Sequence, residues 1–130
     1  MMQQFYYLAG LVSVMVICHS TWSALLLHGE NTVSCKSVLQ RLLKLSLAMV
    51  SVLFVHCIEA GVFAAFYYFK GALSSIEEAM YFSLASYATV GYGDVLLPQE
   101  LRLTGAAEGL IGTLMVSWTV AVLVNYFKEH

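Results

Sequence analysis

Three apolar stretches, each long enough to cross a bilayer, constrain this chain more than anything else in it. They run from about Phe5 to Leu27, from Leu45 to Phe69 and from Leu103 to Phe127. Roughly 20 predominantly apolar residues span a hydrocarbon core as a helix. Lipid offers the backbone no hydrogen-bond partner, so a spanning segment must be a helix or part of a closed barrel. No strand alternation is visible, which leaves helices. A chain of 130 residues that is 60% hydrophobic and 11% charged, with mean hydropathy +0.78, is far from a soluble globular mix. The fold class is therefore an all-α membrane protein with room for one domain. Net charge −2 carries little information. No basic run suggests nucleic acid, and no nucleophile–base pair, phosphate loop or metal-ligand spacing suggests an enzyme.

Charge asymmetry sets the expected topology. The segment His28 to Lys44 holds Lys36, Arg41 and Lys44 against Glu30 alone, which places it in the cytoplasm by the positive-inside rule. The N-terminus is then outside and the C-terminus, with Lys128, inside. Between the second and third stretches the acids Glu77, Glu78, Asp94 and Glu100 outnumber Lys70 and Arg102, as an outer loop should. A cleaved signal peptide competes for the first stretch. No Lys or Arg precedes it and it is long for a signal core, so it reads as a retained helix. The expected location is a cell membrane, crossed several times.

The outer loop is the informative part. Phe66-Tyr67-Tyr68-Phe69 marks an interfacial aromatic belt. Ser74 and Ser75 are each followed three residues on by an acid, a doubled capping-box signature that starts a helix near Ser75. That helix runs to about Ala88 and is too short to span. It is followed at once by Thr89-Val90-Gly91-Tyr92-Gly93-Asp94. Irregular backbone at membrane depth must be enclosed by protein or line water. Glycines on either side of Tyr92 supply positive φ at little steric cost, which lets successive carbonyls turn the same way.

These six residues resemble, without a mismatch, the selectivity-filter signature of the potassium channel family. The likeness covers roughly residues 45 to 127 and has the span–pore loop–span plan of prokaryotic-type channels. It implies a two-span pore domain with a re-entrant pore helix, plus one extra N-terminal transmembrane helix. The boundaries expected are 1–30 for that helix, 31–44 for a basic cytoplasmic loop and 45–130 for the pore domain. Within the pore domain lie an outer helix at 45–69, a pore helix at 75–88, the filter at 89–94 and an inner helix at 103–127. The resemblance implies passive, potassium-selective transport, with K+ bound at Thr89, Val90, Gly91 and Tyr92 and the filter continuing through Gly93. Backbone carbonyls replace the ion's water there. Asp94 is expected at the outer mouth. One filter strand per chain implies a homotetramer, with potassium as the transported ion and no organic cofactor.

Several residues are candidates for support or gating. Glu59 and Glu108 are acids inside spans, where an ionisable group needs a partner and is a functional candidate. His56 lies one turn before Glu59 on the same face. Both acids are expected to bond the pore helix or each other, with coupling of pH to gating as the sharper alternative. His19 reads as a helix–helix hydrogen bond rather than a ligand. Gly105, Gly109 and Gly112 share a helical face. They read either as close packing or, with Gly112 the better match and Gly109 beside it, as the inner-helix hinge the resemblance implies. Some family members tie the acid after the filter to a pore-helix glutamate. Here that position is Ala85, and Tyr81 or Tyr87 is expected to substitute. Ala88 stands where the family often has a second threonine. Cys18, Cys35 and Cys57 show no redox or zinc spacing and read as structural.

No helix carries an arginine every third residue, so a voltage sensor of the usual kind is not expected. The short stretch after the last span offers no cytoplasmic sensing domain, and a regulatory partner is unknown. A less selective cation channel and a non-conducting membrane subunit are the competing readings.

Overall fold

The computed structural model describes residues 2–30 and 37–128, and all regular structure among them is helical. Helix α1 is Met2–Glu30, α2 is Val38–Phe69, α3 is Ile76–Tyr87 and α4 is Arg102–Lys128, the last entered through a 3-10 turn at Gln99–Leu101. Met2–Gly29, Val38–Phe69 and Gln99–Phe127 are long and apolar enough to cross a membrane. Of the expected basic loop, residues 31–36, with Cys35 and Lys36, lie outside the described residues.

Local chemistry fixes the helix ends, and in two places it corrects the boundaries expected above. Helix α2 begins at Val38 rather than Leu45. Ser37 Oγ accepts the Gln40 amide hydrogen at 3.3 Å, and Gln40 Oε1 accepts from Ser37 N at 3.2 Å. This capping box extends the helix below the apolar stretch, so Arg41 and Lys44 sit on its first turns. Hydropathy reads where lipid begins, whereas a helix starts where its orphan N–H groups are satisfied. At the other end Ala72 N donates to Tyr67 O and Gly71 N to Tyr68 O, with Gly71 at φ +66°. That is a Schellman stop on the aromatic belt. The doubled capping signature before α3 resolves into one cap. Ser75 Oγ accepts from Glu78 N at 3.1 Å, while the Glu78 carboxylate takes Ser74 N at 2.8 Å and Ser74 Oγ at 2.6 Å.

Helix α3 nests against α2 and α4, and α1 lies on the outside of that unit against both of them. The N-terminal end of α1 is at the α2–α3 loop side. Lys70 Nζ donates to Tyr7 Oη at 2.7 Å and sits 4.0 Å from the Tyr7 ring centroid, and Gln4 donates to the Glu100 carbonyl. Leu11 and Met15 of α1 join Phe63, Tyr67, Leu73, Ile111 and Met115 in one core. Ala60, Ala64 and Ala79, all buried, let the backbones approach, as small residues do between membrane helices. Leu47, Leu53 and Phe54 of α2 and Leu110 and Leu114 of α4 remain exposed. For a helix in lipid such surface is solvated, not stranded.

Candidate functional site

Residues 88–94 leave the end of α3 as a tightly wound strand. Ala88 N donates to Leu84 O at 3.0 Å and Thr89 N to Ser86 O at 2.9 Å. The Ala85 carbonyl receives both Val90 N, at 2.8 Å, and Gly91 N, at 3.1 Å. The first amides of the segment are thus taken by the helix end. Among the described residues, no backbone hydrogen bond is accepted by the carbonyls of 89–93, which are left uncommitted. Positive φ recurs at alternate positions, +58° at Thr89, +55° at Gly91 and +78° at Gly93. The two glycines carry this as expected from their freedom at φ > 0. Thr89 was not foreseen, since left-handed backbone is a genuine outlier for a β-branched residue. The alternation of handedness falls on every second residue, and a strand of that kind can turn successive carbonyls to one side.

All of 88–94 is exposed on the single chain, Tyr92 at 71% and Val90 at 52%. Tyr81 of α3 braces the segment from the side. Its hydroxyl donates to Asp94 Oδ2 at 2.7 Å, and its ring lies parallel to that of Tyr92 with centroids 6.3 Å apart. Of the two tyrosines expected to replace a brace at Ala85, Tyr81 does so. That hydrogen bond holds the Asp94 carboxyl below its ordinary range.

Tyr87 turns the other way, into the protein. It ends α3 two residues before Thr89, and its hydroxyl donates to Glu59 Oε2. Glu59 is fully buried and also meets His19 Nδ1 through Oε1 at 2.9 Å and His56 Nδ1 through Oε2 at 3.1 Å. The ring closes through Thr119 of α4, whose Oγ1 lies 3.0 Å from His56 Nε2 and 3.3 Å from His19 Nε2. Tyr87 Oη is also 2.9 Å from His56 Nδ1. One hydrogen-bonded circuit therefore ties all four helices together at the C-terminal end of α3, from which the 89–94 segment leaves. His19 makes a hydrogen bond between helices, to Glu59 of α2, as expected. Thr119 was missed, although a hydroxyl three helical turns beyond Glu108 on the same face was a signal that it faces protein.

The expectation for the two acids holds for Glu59, which bonds the pore-helix residue Tyr87. Glu108 instead accepts from Tyr67 of α2 at 2.9 Å, and the two acids do not bond each other. The Glu108 carboxyl also lies against Ser83 of α3, although Glu108 Oε1, Ser83 Oγ and Thr104 Oγ1 are buried without a hydrogen bond of regular geometry. Tyr67→Phe would take from the buried Glu108 carboxyl its hydrogen bond to the tyrosine hydroxyl. The expected cost is about 1–3 kcal/mol of stability, read as a lower melting temperature in detergent.

The α4 glycines form a seam against the end of α3. A Cβ on Gly112 would lie 2.9 Å from the Tyr87 carbonyl carbon, closer still to its oxygen, and 3.1 Å from Tyr87 Cγ. On Gly109 it would meet Ser86 O at 3.2 Å, and on Gly105 the Leu97 Cδ1 at 2.8 Å. The packing role is thereby explained, and α4 passes through all three positions as unbroken helix. Cys18 is half-buried and Cys57 exposed, both as free thiols.

Residues 51–129 match the family model described as ion channel, more than half of the chain. Comparison with curated proteins and with solved structures gave no match. The matched region holds the C-terminal part of α2, from residue 51, together with α3, the segment after it and α4, and leaves α1 outside. By this match and by its span–short helix–strand–span plan, the chain belongs to the potassium-channel-like, two-span ion channel family, with one further helix at its N-terminal side.

Proposed function

We propose that the protein is a potassium-selective channel that works as a homotetramer. Ions would pass through a filter built from the carbonyls of Thr89, Val90, Gly91 and Tyr92, with Gly93 turning the strand into the outer mouth. One observation carries the reading: φ is positive at 89, 91 and 93 while the carbonyls of this strand are uncommitted and exposed. Exposed polar backbone cannot face lipid, so further protein must enclose it around water or ions. Four copies about an axis supply oxygens on all sides, and a closed ring leaves no copy with a bare strand. The C-terminus of α3 adds the negative end of its dipole just before the strand, which favours a cation there. The match to an ion channel family supports conduction, and the intact Thr89–Asp94 signature supports selectivity.

The protein would sit in a cell membrane with the N-terminus of α1 and the Asp94 end of the strand outside. The basic residues Arg41 and Lys44 and the C-terminus of α4 would be cytoplasmic. Purified protein in liposomes, loaded with potassium and challenged with sodium, tests the function. Potassium flux that excludes sodium is expected. Equal flux of the two ions would leave a non-selective cation channel, and no flux from an intact tetramer would leave a non-conducting subunit.

Asp94 gives this reading a pH dependence. Its folded-state pKa is lowered by the Tyr81 hydroxyl, so it stays ionised as external pH falls through the ordinary carboxylate range, about 3.9 for Asp. Its charge is lost only when pH drops through the lower, folded value. Tyr81→Phe removes the donor, and the acid limb of external pH inhibition of potassium flux should move to higher pH. An unmoved limb would show that Asp94 does not set it.

A further inference from the structure

The circuit around Glu59 has fewer hydrogens than contacts. Six contacts join His19, His56, Glu59, Tyr87 and Thr119. With Glu59 ionised and both imidazoles neutral, each of the other four groups brings a single hydrogen. Even if the Tyr87 hydrogen serves both of its contacts, one contact is left with two facing lone pairs unless the Thr119 hydrogen is likewise split between the two Nε2 atoms, 3.0 and 3.3 Å away. Choosing the other tautomer of either histidine only moves the gap. The shortage would be relieved by a cation, a proton or a metal ion, at the place where the two Nδ1 atoms and the carboxylate converge.

The arrangement fits a metal ion. Ligand atoms of His19, His56 and Glu59 all lie within 4.8 Å of one another. Both Nδ1 atoms point at the carboxylate, at 2.9 and 3.1 Å, and both Nε2 atoms point at the single hydroxyl of Thr119. A metal-bound histidine normally donates its remaining N–H to a partner that fixes the ring, and one hydroxyl oxygen has two lone pairs to receive two such hydrogens. Tyr87 Oη, 2.9 Å from His56 Nδ1, stands where a fourth neighbour of the ion would. The rings of Trp22 and Trp118 flank His19 with centroids at 5.3 and 5.2 Å and hold it in place.

We propose that His19, His56 and Glu59 form a binding site for one divalent transition-metal ion of the zinc class, which clasps α1 to the pore unit. Two imidazoles and a carboxylate suit such an ion, whereas calcium and magnesium prefer oxygen donors throughout. The site would stiffen the end of α3, from which residues 89–94 leave, without lying on the ion path. It does not depend on potassium selectivity, because none of the three residues belongs to the 89–94 segment.

The test is metal binding by the purified full-length protein, stripped with a chelator and titrated with Zn2+ or Co2+. One ion per chain is expected. Cobalt should give the visible spectrum of a tetrahedral nitrogen–oxygen site, with no thiolate charge-transfer band from Cys18, Cys35 or Cys57. His19→Gln should weaken binding at least tenfold and abolish the rise in melting temperature that Zn2+ gives the unaltered protein, whereas His28→Gln should change neither. Should His19→Gln fail to fold, His56→Gln carries the same expectation, since its ring is partly exposed. Failure of the unaltered protein to take up stoichiometric metal would overturn the proposal and leave the cluster to protons alone. So would cobalt bound through sulfur, or binding that survives loss of the histidine in a folded variant.

Discussion

A chain carrying Gly91→Ala and Gly93→Ala is expected to lose potassium flux while still forming its helices. At neither glycine would a Cβ meet any atom within 4 Å on the single chain, so room is not the obstacle. Handedness is. At φ +55° and +78° an L-alanine costs about 1–2 kcal/mol per residue. The inexpensive escape is for φ to become negative, which swings the adjoining peptide plane and takes its carbonyl off the common side. In the proposed ring of four copies the penalty would recur in every subunit, and a single misdirected carbonyl would break the coordination of the ion it faces. Potassium uptake into liposomes, measured beside the oligomeric state in detergent, checks this. Undiminished, potassium-selective flux in the double variant would remove the 89–93 carbonyls from the ion path.

Gly112→Ala should act through space instead, and on assembly before conduction. Its Cβ would be driven into the backbone carbonyl of Tyr87, the residue that ends α3 and holds Glu59. Overpacking of a fitted interior costs typically 1–3 kcal/mol, and a backbone neighbour cannot rotate away, so the upper end or more is expected. Gly109→Ala, facing Ser86 O at 3.2 Å, should cost less. Gly105→Ala should cost least, because its closest neighbour is a Leu97 methyl that can turn aside. Thermal stability in detergent should follow the order 105, 109, 112, with Gly112→Ala giving little folded protein. A flat series would mean that α4 does not rest on α3 as described.

The same two classes of glycine show what could be read from the residues in order and what could not. Gly91 and Gly93 were legible because a motif of six residues states its own backbone requirement. The seam glycines were recognised as one helical face, but what they face depends on α3 crossing there. Glu59 and Glu108 were legible as acids in need of partners, because lipid forces the question on any charge within a span. Apart from His56, one turn from Glu59 on the same helix, their partners were not legible. Tyr87, Tyr67, His19 and Thr119 are ordinary residues of four different segments, and only packing decides that Tyr87 turns inward to Glu59 while Tyr81 turns outward to Asp94.

By itself the sequence determined the class of the protein, since lipid allows a long apolar segment little but a helix. It also determined the position of the one irregular strand, because the alternation of glycines is a local property. Tertiary structure alone decided how α1 is used, where α2 begins and which side chains meet at the end of α3. Hydropathy measures how a residue meets lipid and is blind to capping and to contacts across many turns of chain. A closed circuit through four helices exists only once all four are in place.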